Sequence, residues 1–429
     1  MSKKFFTVLM LLLFVSILTG CRFFGSSNDN YGCELDFECY LFSSGLLAVE
    51  KDDRWGYIDD SGEIVINFVF NSASAFYDSS AIVKVNQNYY LIDKDGSYIT
   101  DAYDLLLRDP LTGNVIYEKN GRYGLMDKEG SVYTEALYDD IQFSSEGLFR
   151  TKLGSNYGYL SDDGEIKIEF DYKDASRFHN GLARVQVNEK MGYIDRDNNL
   201  VIEALYDEAY DFDEYQRARV RLGDGDESWR LIDKSGDSII NAAGIQSWGG
   251  PLYRVIKDDS EWLYDYNGDL FINTPFVRVW ETRGYSANVE DEEEDLNVIY
   301  GETGTVIDSA DYFESTVLGG SPQEPHNLAL VESDDEFMNV FYNGVSYRFR
   351  GTDIIQILDV GFVIERNDKF GLIDFEDNTI INFLYDMLYY LNDDYFIYEI
   401  NGKYGVMDKS GDVIIGAQYD DIQPNLNIW

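Results

Sequence analysis

Cysteines, histidines and carboxylates are the residues with which this chain could perform chemistry. The 429 residues include three cysteines, Cys21, Cys33 and Cys39, and two histidines, His179 and His326. A nucleophilic triad, a zinc site or a Cys–His pair needs more partners than this set supplies. The sequence also contains no Gly-x-Ser-x-Gly, phosphate-binding or dinucleotide-binding motif. We therefore predict a protein without catalytic residues, cofactor or bound metal.

The abundant carboxylates leave two alternatives open. With 79 acidic residues, a glycan hydrolase that uses a pair of carboxylates is compatible with the composition. Two acidic segments, 93–96 and 223–227, place oxygen ligands beside glycines, as calcium loops do, but both lack the terminal glutamate of the full calcium-loop pattern. We interpret both segments as hairpin turns.

The formal net charge of −45 restricts the partners of this protein. A surface of this sign repels the phosphates of nucleic acids and of anionic lipids, so we predict no nucleic-acid binding. A solvated, self-repelling surface is the simplest interpretation. Attraction of cations or of a basic partner is the alternative.

The N-terminus has the order of features of an export signal. Lys3 and Lys4 precede an apolar run over residues 5–18, which is short for a membrane span. The following Leu18-Thr19-Gly20-Cys21 resembles the bacterial lipobox. The resemblance implies that residues 1–20 are a signal peptide cleaved after Gly20 and that the Cys21 thiol carries diacylglycerol. Two or three acyl chains hold a protein on a membrane.

This address implies an exported protein, anchored by lipid to a bacterial cell membrane or outer membrane and facing the periplasm or the exterior. An ordinary secretory signal with a chance cysteine is the alternative. Residues 21–43 begin as a tether rich in Gly, Ser and Asn. Cys33 and Cys39 form a small disulfide loop in one interpretation and are two free thiols in the other.

The rest of the chain repeats one pattern: an aromatic residue, a glycine, two large apolar residues and Asp-x-x-Gly. Aligned on this pattern, eleven anchor positions follow one another, and the first five are 34 residues apart. The anchors are Trp55, Tyr89, Tyr123, Tyr157, Met191, Trp229, Glu261, Asn297, Phe337, Phe370 and Tyr404. The signature is best kept at Trp55, Gly56, Tyr123, Gly124, Tyr157, Gly158, Gly192, Gly371, Tyr404 and Gly405, which we interpret as structural residues.

Each repeat is typical of a small β unit. An alternating strand such as 181–187 precedes the anchor strand, and Asn120-Gly121 between two such strands predicts a type I′ hairpin. Asp-x-x-Gly predicts a capped turn with a left-handed glycine, followed by a third strand. A Tyr-Asp element then closes the repeat, as a short turn or one-turn helix with the tyrosine inward. The glycine after the anchor allows a neighbouring aromatic residue or backbone to approach closely.

These residues resemble the WG-containing repeat family of bacterial proteins, named for the pair seen at Trp55-Gly56. The resemblance covers residues 44–429 and implies β-rich repeats with interaction roles and no catalytic residues. Tyr90 and Arg230 occupy the glycine position in the second and sixth repeats, where the sequence departs from the family.

The predicted fold is all-β, with about eleven tandem antiparallel hairpin or meander repeats in an open twisted array. One or two β-propellers are the alternative. We favour the open array because a propeller typically has four to eight blades, and eleven repeats do not fit one ring. We divide the repeats into a well-kept region 44–244, a degenerate region 245–350 and a C-terminal region 351–429. The degenerate region, with its acidic run 291–295, is either relaxed repeats or a specialised ligand face. The last repeat is expected to be a frayed cap.

We therefore expect a membrane-anchored lipoprotein that presents an acidic β-repeat surface to a protein or glycan in the cell envelope or at the cell surface. A purely structural spacer and the glycan hydrolase are the alternatives. Recurring tyrosines and tryptophans could stack against sugars, although residues repeated in this way more often form the core.

Overall fold

The computed structural model describes residues 41–424, except residues 226, 284, 291–294, 302–303, 305, 312–314, 320–327, 334–336, 344, 352 and 392–394. The described residues form strands, turns and bends and contain no helix. Nothing helical in this part of the chain has the length and hydrophobicity of a membrane span. The predicted lipidation and disulfide residues Cys21, Cys33 and Cys39, and most of the acidic run 291–295, lie outside the described residues.

The described residues form 41 strands. The first fourteen are β1 (Leu47–Lys51), β2 (Arg54–Ile58), β3 (Ile64–Phe70), β4 (Ser72–Ala73), β5 (Ala81–Val85), β6 (Asn88–Ile92), β7 (Leu105–Arg108), β8 (Val115–Lys119), β9 (Arg122–Met126), β10 (Val132–Tyr138), β11 (Asp140–Ile141), β12 (Leu148–Leu153), β13 (Asn156–Ser161) and β14 (Ile166–Tyr172). The next eleven are β15 (Ala183–Val187), β16 (Lys190–Ile194), β17 (Leu200–Tyr206), β18 (Glu208–Ala209), β19 (Ala218–Arg221), β20 (Trp229–Ile232), β21 (Ser238–Ala242), β22 (Gly244–Gln246), β23 (Leu252–Lys257), β24 (Ser260–Asp265) and β25 (Arg278–Arg283). The last sixteen are β26 (Ser286–Glu290), β27 (Asp295–Tyr300), β28 (Val306–Asp311), β29 (Ser315–Gly319), β30 (Leu328–Ser333), β31 (Phe337–Tyr342), β32 (Val345–Arg350), β33 (Asp353–Leu358), β34 (Gly361–Arg366), β35 (Lys369–Ile373), β36 (Thr379–Tyr385), β37 (Met387–Tyr390), β38 (Tyr395–Ile400), β39 (Lys403–Asp408), β40 (Val413–Tyr419) and β41 (Asp421–Gln423).

The strands form eleven small antiparallel sheets, which fall into two compact units. Of the described residues, those up to Phe170 and from Leu384 onwards belong to unit 1, and those within Asp171–Phe383 belong to unit 2. The sheets of unit 1 are β3-β2-β1-β41, β4-β5-β6, β10-β9-β8-β7, β11-β12-β13-β14 and β37-β38-β39-β40. Those of unit 2 are β15-β16-β17, β18-β19-β20-β21, β22-β23-β24, β25-β26-β27-β28, β29-β30-β31-β32 and β33-β34-β35-β36. Each sheet has three or four strands, and its strands are consecutive in the chain except for β41 beside β1.

The predicted repeat register is confirmed in all eleven sheets. Each predicted anchor lies in the anchor strand of a different sheet, including the weakly signalled Glu261, Asn297 and Phe337. The anchor strands are β2, β6, β9, β13, β16, β20, β24, β27, β31, β35 and β39. The all-β tandem-repeat fold predicted from the sequence is therefore present in the described residues. The boundaries drawn at 244 and 350 stay predictions.

The glycine after the anchor accommodates a bulge in the third strand. Met191 pairs with Tyr206 while Tyr193 pairs with Ile202, so the third strand has two extra residues opposite Gly192. A Cβ on Gly192 would lie 2.7 Å from the Ile202 carbonyl oxygen. An alanine there would clash with backbone, because such a contact is shorter than atoms tolerate.

The sixth repeat has neither the glycine nor the bulge opposite it. Trp229, Arg230 and Leu231 pair in order with Ala242, Asn241 and Ile240, without a bulge at this point. The third strand β21 therefore has five residues, compared with seven in β17. Because the backbone approach that excludes a side chain is missing, Arg230 can occupy the glycine position.

The core of each sheet consists of alternating residues of the anchor strand and of the strand that precedes it. The signature aromatic residue lies near the start of the anchor strand, at one end of this core. One cluster in unit 1 contains Trp55, Tyr57 and Phe76, and Tyr57 and Phe76 are fully buried. Tyr57 and Phe76 meet edge to face with ring centroids 4.9 Å apart, a favoured aromatic geometry. Anchors such as Tyr123 and Tyr404 are half-buried and pack against similar clusters. The repeated aromatic residues are thus part of the core and do not form an exposed ladder.

The Tyr-Asp element is a strand end followed by a short strand, not a one-turn helix. Its tyrosine packs inward as predicted, since Tyr138, Tyr206 and Tyr419 are all buried. The residues that follow pair with the first long strand of the next sheet, as β11 does with β12. Each such repeat therefore contributes one strand to its successor's sheet.

The last such strand, β41, pairs with β1. The expectation of a frayed cap at the last repeat is therefore wrong, because its Tyr-Asp element finds a partner in the first sheet. Both strands belong to unit 1. The propeller alternative is consistent with this pairing.

Candidate interaction surface

The third strands lie at the ends of their sheets. In unit 1, β3, β10, β14 and β40 are terminal strands, and in unit 2, β17 and β36 are terminal. In the described part of the chain no strand pairs with their outer edges. An unpaired edge presents backbone N–H and C=O groups that another strand can bind.

These terminal strands also expose large apolar side chains at repeated positions. The residue before the aromatic residue that ends the strand is 56–59% exposed at Val69, Leu137, Leu205 and Leu384. The first strand residue is 38–55% exposed at Ile64, Val132, Ile166, Leu200 and Val413. We call these nine residues the outer apolar row of the repeats. Single exposed apolar residues are ordinary, but their recurrence at the same positions marks a surface.

Acidic side chains surround the outer apolar row. Glu135, Glu169 and Glu203 are exposed in the middle of their third strands, between the two apolar positions. The preceding turns add exposed acids such as Glu63 and Asp412. The surface is therefore apolar in its repeated positions and negative between them, which matches a partner with apolar and basic residues.

The Asp-x-x-Gly turns at the ends of the anchor strands hold their carboxylates rigidly. Asp59 Oδ1 accepts hydrogen bonds from the Ser61 hydroxyl, the Ser61 amide at 3.0 Å and the Glu63 amide at 2.9 Å. These bonds, that from the Ser61 hydroxyl first, lower the pKa of Asp59. Gly62 takes the left-handed conformation with φ of 81°, as predicted for this position.

The two acidic segments considered for calcium have the geometry of turns. Asp93 Oδ1 accepts the backbone amides of Asp95 at 3.0 Å and Ser97 at 2.8 Å. In the other segment Asp224 pairs with Arg221 at 2.9 Å, and Asp226 lies outside the described residues. Among the residues that the structure describes, no three His, Cys, Asp or Glu side chains are grouped to hold a metal ion.

The aspartate of the Tyr-Asp element connects adjacent repeats. In five repeats its Oδ2 accepts the backbone amide of the next hairpin turn, an arrangement that we call the aspartate clasp. The pairs are Asp104 with Asn120 (2.7 Å), Asp139 with Gly154 (2.6 Å), Asp207 with Gly223 (2.8 Å), Asp386 with Asn401 (2.8 Å) and Asp420 with Asp52 (2.9 Å). In three of them the other oxygen pairs with Arg122, Lys190 or Lys403. The lysine and amide contacts lower the pKa of Asp207 and of Asp420.

Unit 2 contains an open depression of about 410 Å³. Its lining includes Lys257, Tyr264, Asn241 and Glu227. Glu227 is the one carboxylate that lines it among the described residues. A glycosidase of the usual type needs two carboxylates on opposite sides of the scissile bond, so this depression does not provide that arrangement.

Of the residues predicted from the sequence, the signature positions have structural roles. Trp55 is 9% exposed. At all six signature glycines a Cβ atom would lie 2.5–2.7 Å from a carbonyl oxygen of the third strand, namely at Gly56, Gly124, Gly158, Gly192, Gly371 and Gly405. The outer apolar row was not predicted from the sequence. Its signal was three apolar residues in succession, as in Ile64-Val65-Ile66, because successive residues of a strand point to opposite faces and cannot all face one core.

Comparison with known proteins identifies one repeat family and distant structural likenesses. The family described as the WG containing repeat matches residues 55–89, 123–157, 157–190, 191–225, 370–404 and 404–427. No curated protein matches the chain.

Three solved structures illustrate the distant likenesses. A eukaryotic initiation factor is 9% identical, covering 88% of this chain and 97% of its own, with a TM-score of 0.42. Hsv2p of Kluyveromyces lactis is 12% identical, covering 66% and 98%, with a TM-score of 0.28. PorZ, a surface component of the type-IX secretion system of Porphyromonas gingivalis, is 8% identical, covering 86% and 59%, with a TM-score of 0.24. These scores are too low to carry a functional inference.

Proposed function

The chain belongs to the WG containing repeat family, and from this premise we propose that it is a membrane-anchored binding protein with a protein partner. Within each unit, the residues of the outer apolar row and the unpaired edges of the third strands form a binding surface. The partner is an extended or flat segment that carries apolar and basic residues. Binding, not catalysis, is the proposed role.

The recurrence of exposed apolar residues on terminal strands is the observation that supports this proposal. Leu137 and Leu205 stand at the same position of different repeats and are 59% and 56% exposed. A repeat needs neither residue for its core, because the neighbouring Tyr138 and Tyr206 fill that space. Repeated apolar exposure of this kind is typical of interaction surfaces. A structural spacer has no requirement for it.

Site-specific photocrosslinking on intact cells tests the binding surface. A photoreactive benzoylphenylalanine is placed at Leu137 in the full-length protein, and a matched control is placed at Asp53, an exposed hairpin position. We expect a discrete cross-linked adduct at position 137 that is absent at position 53. A Glu135→Lys and Glu169→Lys double variant should weaken the adduct if the partner is basic. Equal labelling at both positions, or none, would overturn the proposal.

Lipid anchoring is the second part of the proposal. The order of Lys3, Lys4, the apolar run and Leu18-Thr19-Gly20-Cys21 supports it. Cys21→Ser should leave the precursor uncleaved or move the protein to the soluble fraction, as measured by fractionation and by acyl-chain labelling. An unchanged membrane fraction would contradict the anchor. Protease treatment of whole cells then distinguishes an outward-facing protein from one that faces the periplasm.

Glycan binding is the alternative to a protein partner, and a separate binding assay tests it. The repeated anchors are packed in the core, so the sites where sugars would stack are few. If a panel of envelope glycans binds the purified protein and the binding survives Leu137→Ser, the ligand is a glycan at a different surface.

A further inference from the structure

The joint between β1 and β41 differs in charge from the corresponding joints of other repeats. It consists of three residue pairs, Ala48 with Gln423, Val49 with Ile422 and Glu50 with Asp421. Glu50 and Asp421 are therefore directly opposite each other on one face of the sheet. Side chains in this relationship have Cβ atoms about 5 Å apart, and like charges there are destabilising.

The same register position is charge-matched in two other joints. Asp140 is opposite Lys152 between β11 and β12, and Glu208 is opposite Arg221 between β18 and β19. Arg221 Nε donates to Glu208 Oε1 at 2.9 Å. The repeat architecture thus accepts an ion pair at this position.

One further joint has two acids at this position, Asp353 opposite Glu365. Strands β33 and β34 are consecutive, however, and a short turn after Leu358 holds them together. Glu50 and Asp421 are 371 positions apart in the sequence, so their joint has no such local connection.

The surroundings of the two acids increase their mutual repulsion. Burial raises the pKa of Asp421 to about 6. The hydrogen bond from the Ile422 amide lowers this pKa, and the negative charge of Glu50 raises it. Burial raises the pKa of Glu50 too, as do Asp420 and Asp53, while a hydrogen bond from Trp55 acts in the opposite direction. Tyr404, which is hydrogen-bonded to Glu399, faces Asp421 from β39.

The basic residues near this joint interact with Asp420 and not with Glu50 or Asp421. Lys403 pairs with Asp420, and Lys51 also acts on Asp420. Asp420 lies next to Asp421 but forms the aspartate clasp with Asp52, and its pKa is lowered. The Glu50–Asp421 pair therefore has no cation of its own among the interactions of the described residues.

We propose that the Glu50–Asp421 pair is an acid-controlled latch, which holds β41 on β1 when the pair carries a proton and loosens the joint when both carboxylates are charged. The sign follows from the direction of the two shifts. The folded joint keeps a proton that the separated strands lose at lower pH, so its stability is present in acid and is lost as pH rises through about 6.

Loosening has a defined structural consequence. β41 pairs with no strand other than β1 in the described structure. Its release would uncover the edge of β1, whose first three residues are buried. An uncovered edge of this kind can pair with another strand. The latch thus couples the pH of the compartment to access to that edge.

Hydrogen exchange measures the latch directly in the full-length protein in detergent. The Asp420 amide donates to the Glu50 carbonyl at 2.8 Å, and the matched Asp139 amide donates to the Lys152 carbonyl at 2.9 Å. Exchange of peptides that contain each amide is divided by that of the unfolded protein at the same pH. We expect the protection of the first relative to the second to fall about tenfold between pH 5 and pH 7.5.

Matched variants separate the latch from general loosening. Asp421→Asn should raise the relative protection at pH 7.5 and remove its pH dependence. Glu50→Gln should raise the protection too but only reduce the pH dependence, because Asp421 stays buried and still titrates. Lys152→Glu should transfer the pH dependence to the β11–β12 joint, because it places two acids there. Circular dichroism verifies that the variants are folded. A wild-type ratio that is constant within about twofold, or one that falls equally in Asp421→Asn, would overturn the proposal.

Discussion

The Oδ2 atom of Asp420 accepts a hydrogen bond from the backbone amide of Asp52, 2.9 Å away and 368 positions earlier in the chain. The identical contact joins Asp139 to Gly154 over 15 positions. One local rule, an aspartate that binds the next hairpin turn, therefore also joins the two ends of the chain in unit 1. The Tyr-Asp pair combines both tasks of the repeat, since its tyrosine fills one core and its aspartate holds the next turn.

Replacing Gly158 by alanine should destabilise unit 1. The new Cβ would lie 2.6 Å from the Ile168 carbonyl oxygen, so backbone has to move. We expect the free energy of unfolding to fall by about 2 kcal/mol, which is typical of overpacking, in urea titrations followed by circular dichroism. Gly416→Ala is the matched control, because nothing lies within 4 Å of its Cβ position. Equal effects of the two substitutions would contradict this explanation of the signature glycine.

The aspartate clasp predicts an unequal effect of its two partners. Asp139→Ala leaves the Gly154 amide without its acceptor and should lower the free energy of unfolding by about 1 kcal/mol. Arg122→Ala removes only the half-exposed ion pair with Asp139, which should cost less than about 0.5 kcal/mol. Urea titrations of both single variants and the double variant measure the difference. If Arg122→Ala proved the more harmful, the amide bond would not be the main function of Asp139.

Much of this fold was predictable because the repeat signals are local. Gly62 is left-handed and Asn120-Gly121 has positive φ at both residues, 55° and 74°, as the turn chemistry of these residue types predicts. Even Glu261, where the aromatic-Gly signature is lost, lies in an anchor strand as predicted, because the spacing of the turns persists.

Contacts between distant segments were not predictable in the same way. The partner of β41 is β1, and nothing in Asp421-Ile422-Gln423 distinguishes a strand that pairs from a frayed end. The bulge opposite Gly192 was not predictable either. It depends on the number of third-strand residues between Ile202 and Tyr206, the two residues that pair with the anchor strand. The outer apolar row was not predictable either, because a run of consecutive apolar residues does not show which of them stay exposed in the folded repeat.

Calcium should leave the stability of the protein unchanged. The Asp93 carboxylate already accepts two backbone amides, so a metal ion would have to compete with these bonds for Oδ1. We expect the midpoint of thermal unfolding in calcium to equal that in chelator, with magnesium as the ionic-strength control. A rise of several degrees that is specific to calcium and is removed by Asp93→Asn would identify a site at this turn.

The Asp213 carboxylate should make the stability of unit 2 depend on pH. Burial raises the pKa of Asp213 from its ordinary value of 3.8 to about 6, although the Tyr253 hydroxyl and two backbone amides donate hydrogen bonds to it. Between these two values the folded state holds a proton that the unfolded state has lost. The contribution of Asp213 is therefore fully present below pH 3.8 and is lost as pH rises through about 6.

Asp213→Asn tests this dependence because the amide keeps an acceptor for the Tyr215 and Arg217 amides but does not titrate. The difference in stability between wild type and variant should change with pH between about 4 and 6, with a slope of about one proton, and should be flat above about pH 7. Urea titrations at closely spaced pH values measure this slope. Asp233→Asn is the matched control, since Asp233 accepts two amides in an exposed turn. A parallel pH profile for wild type and Asp213→Asn would mean that Asp213 is ionised in the folded protein throughout this range.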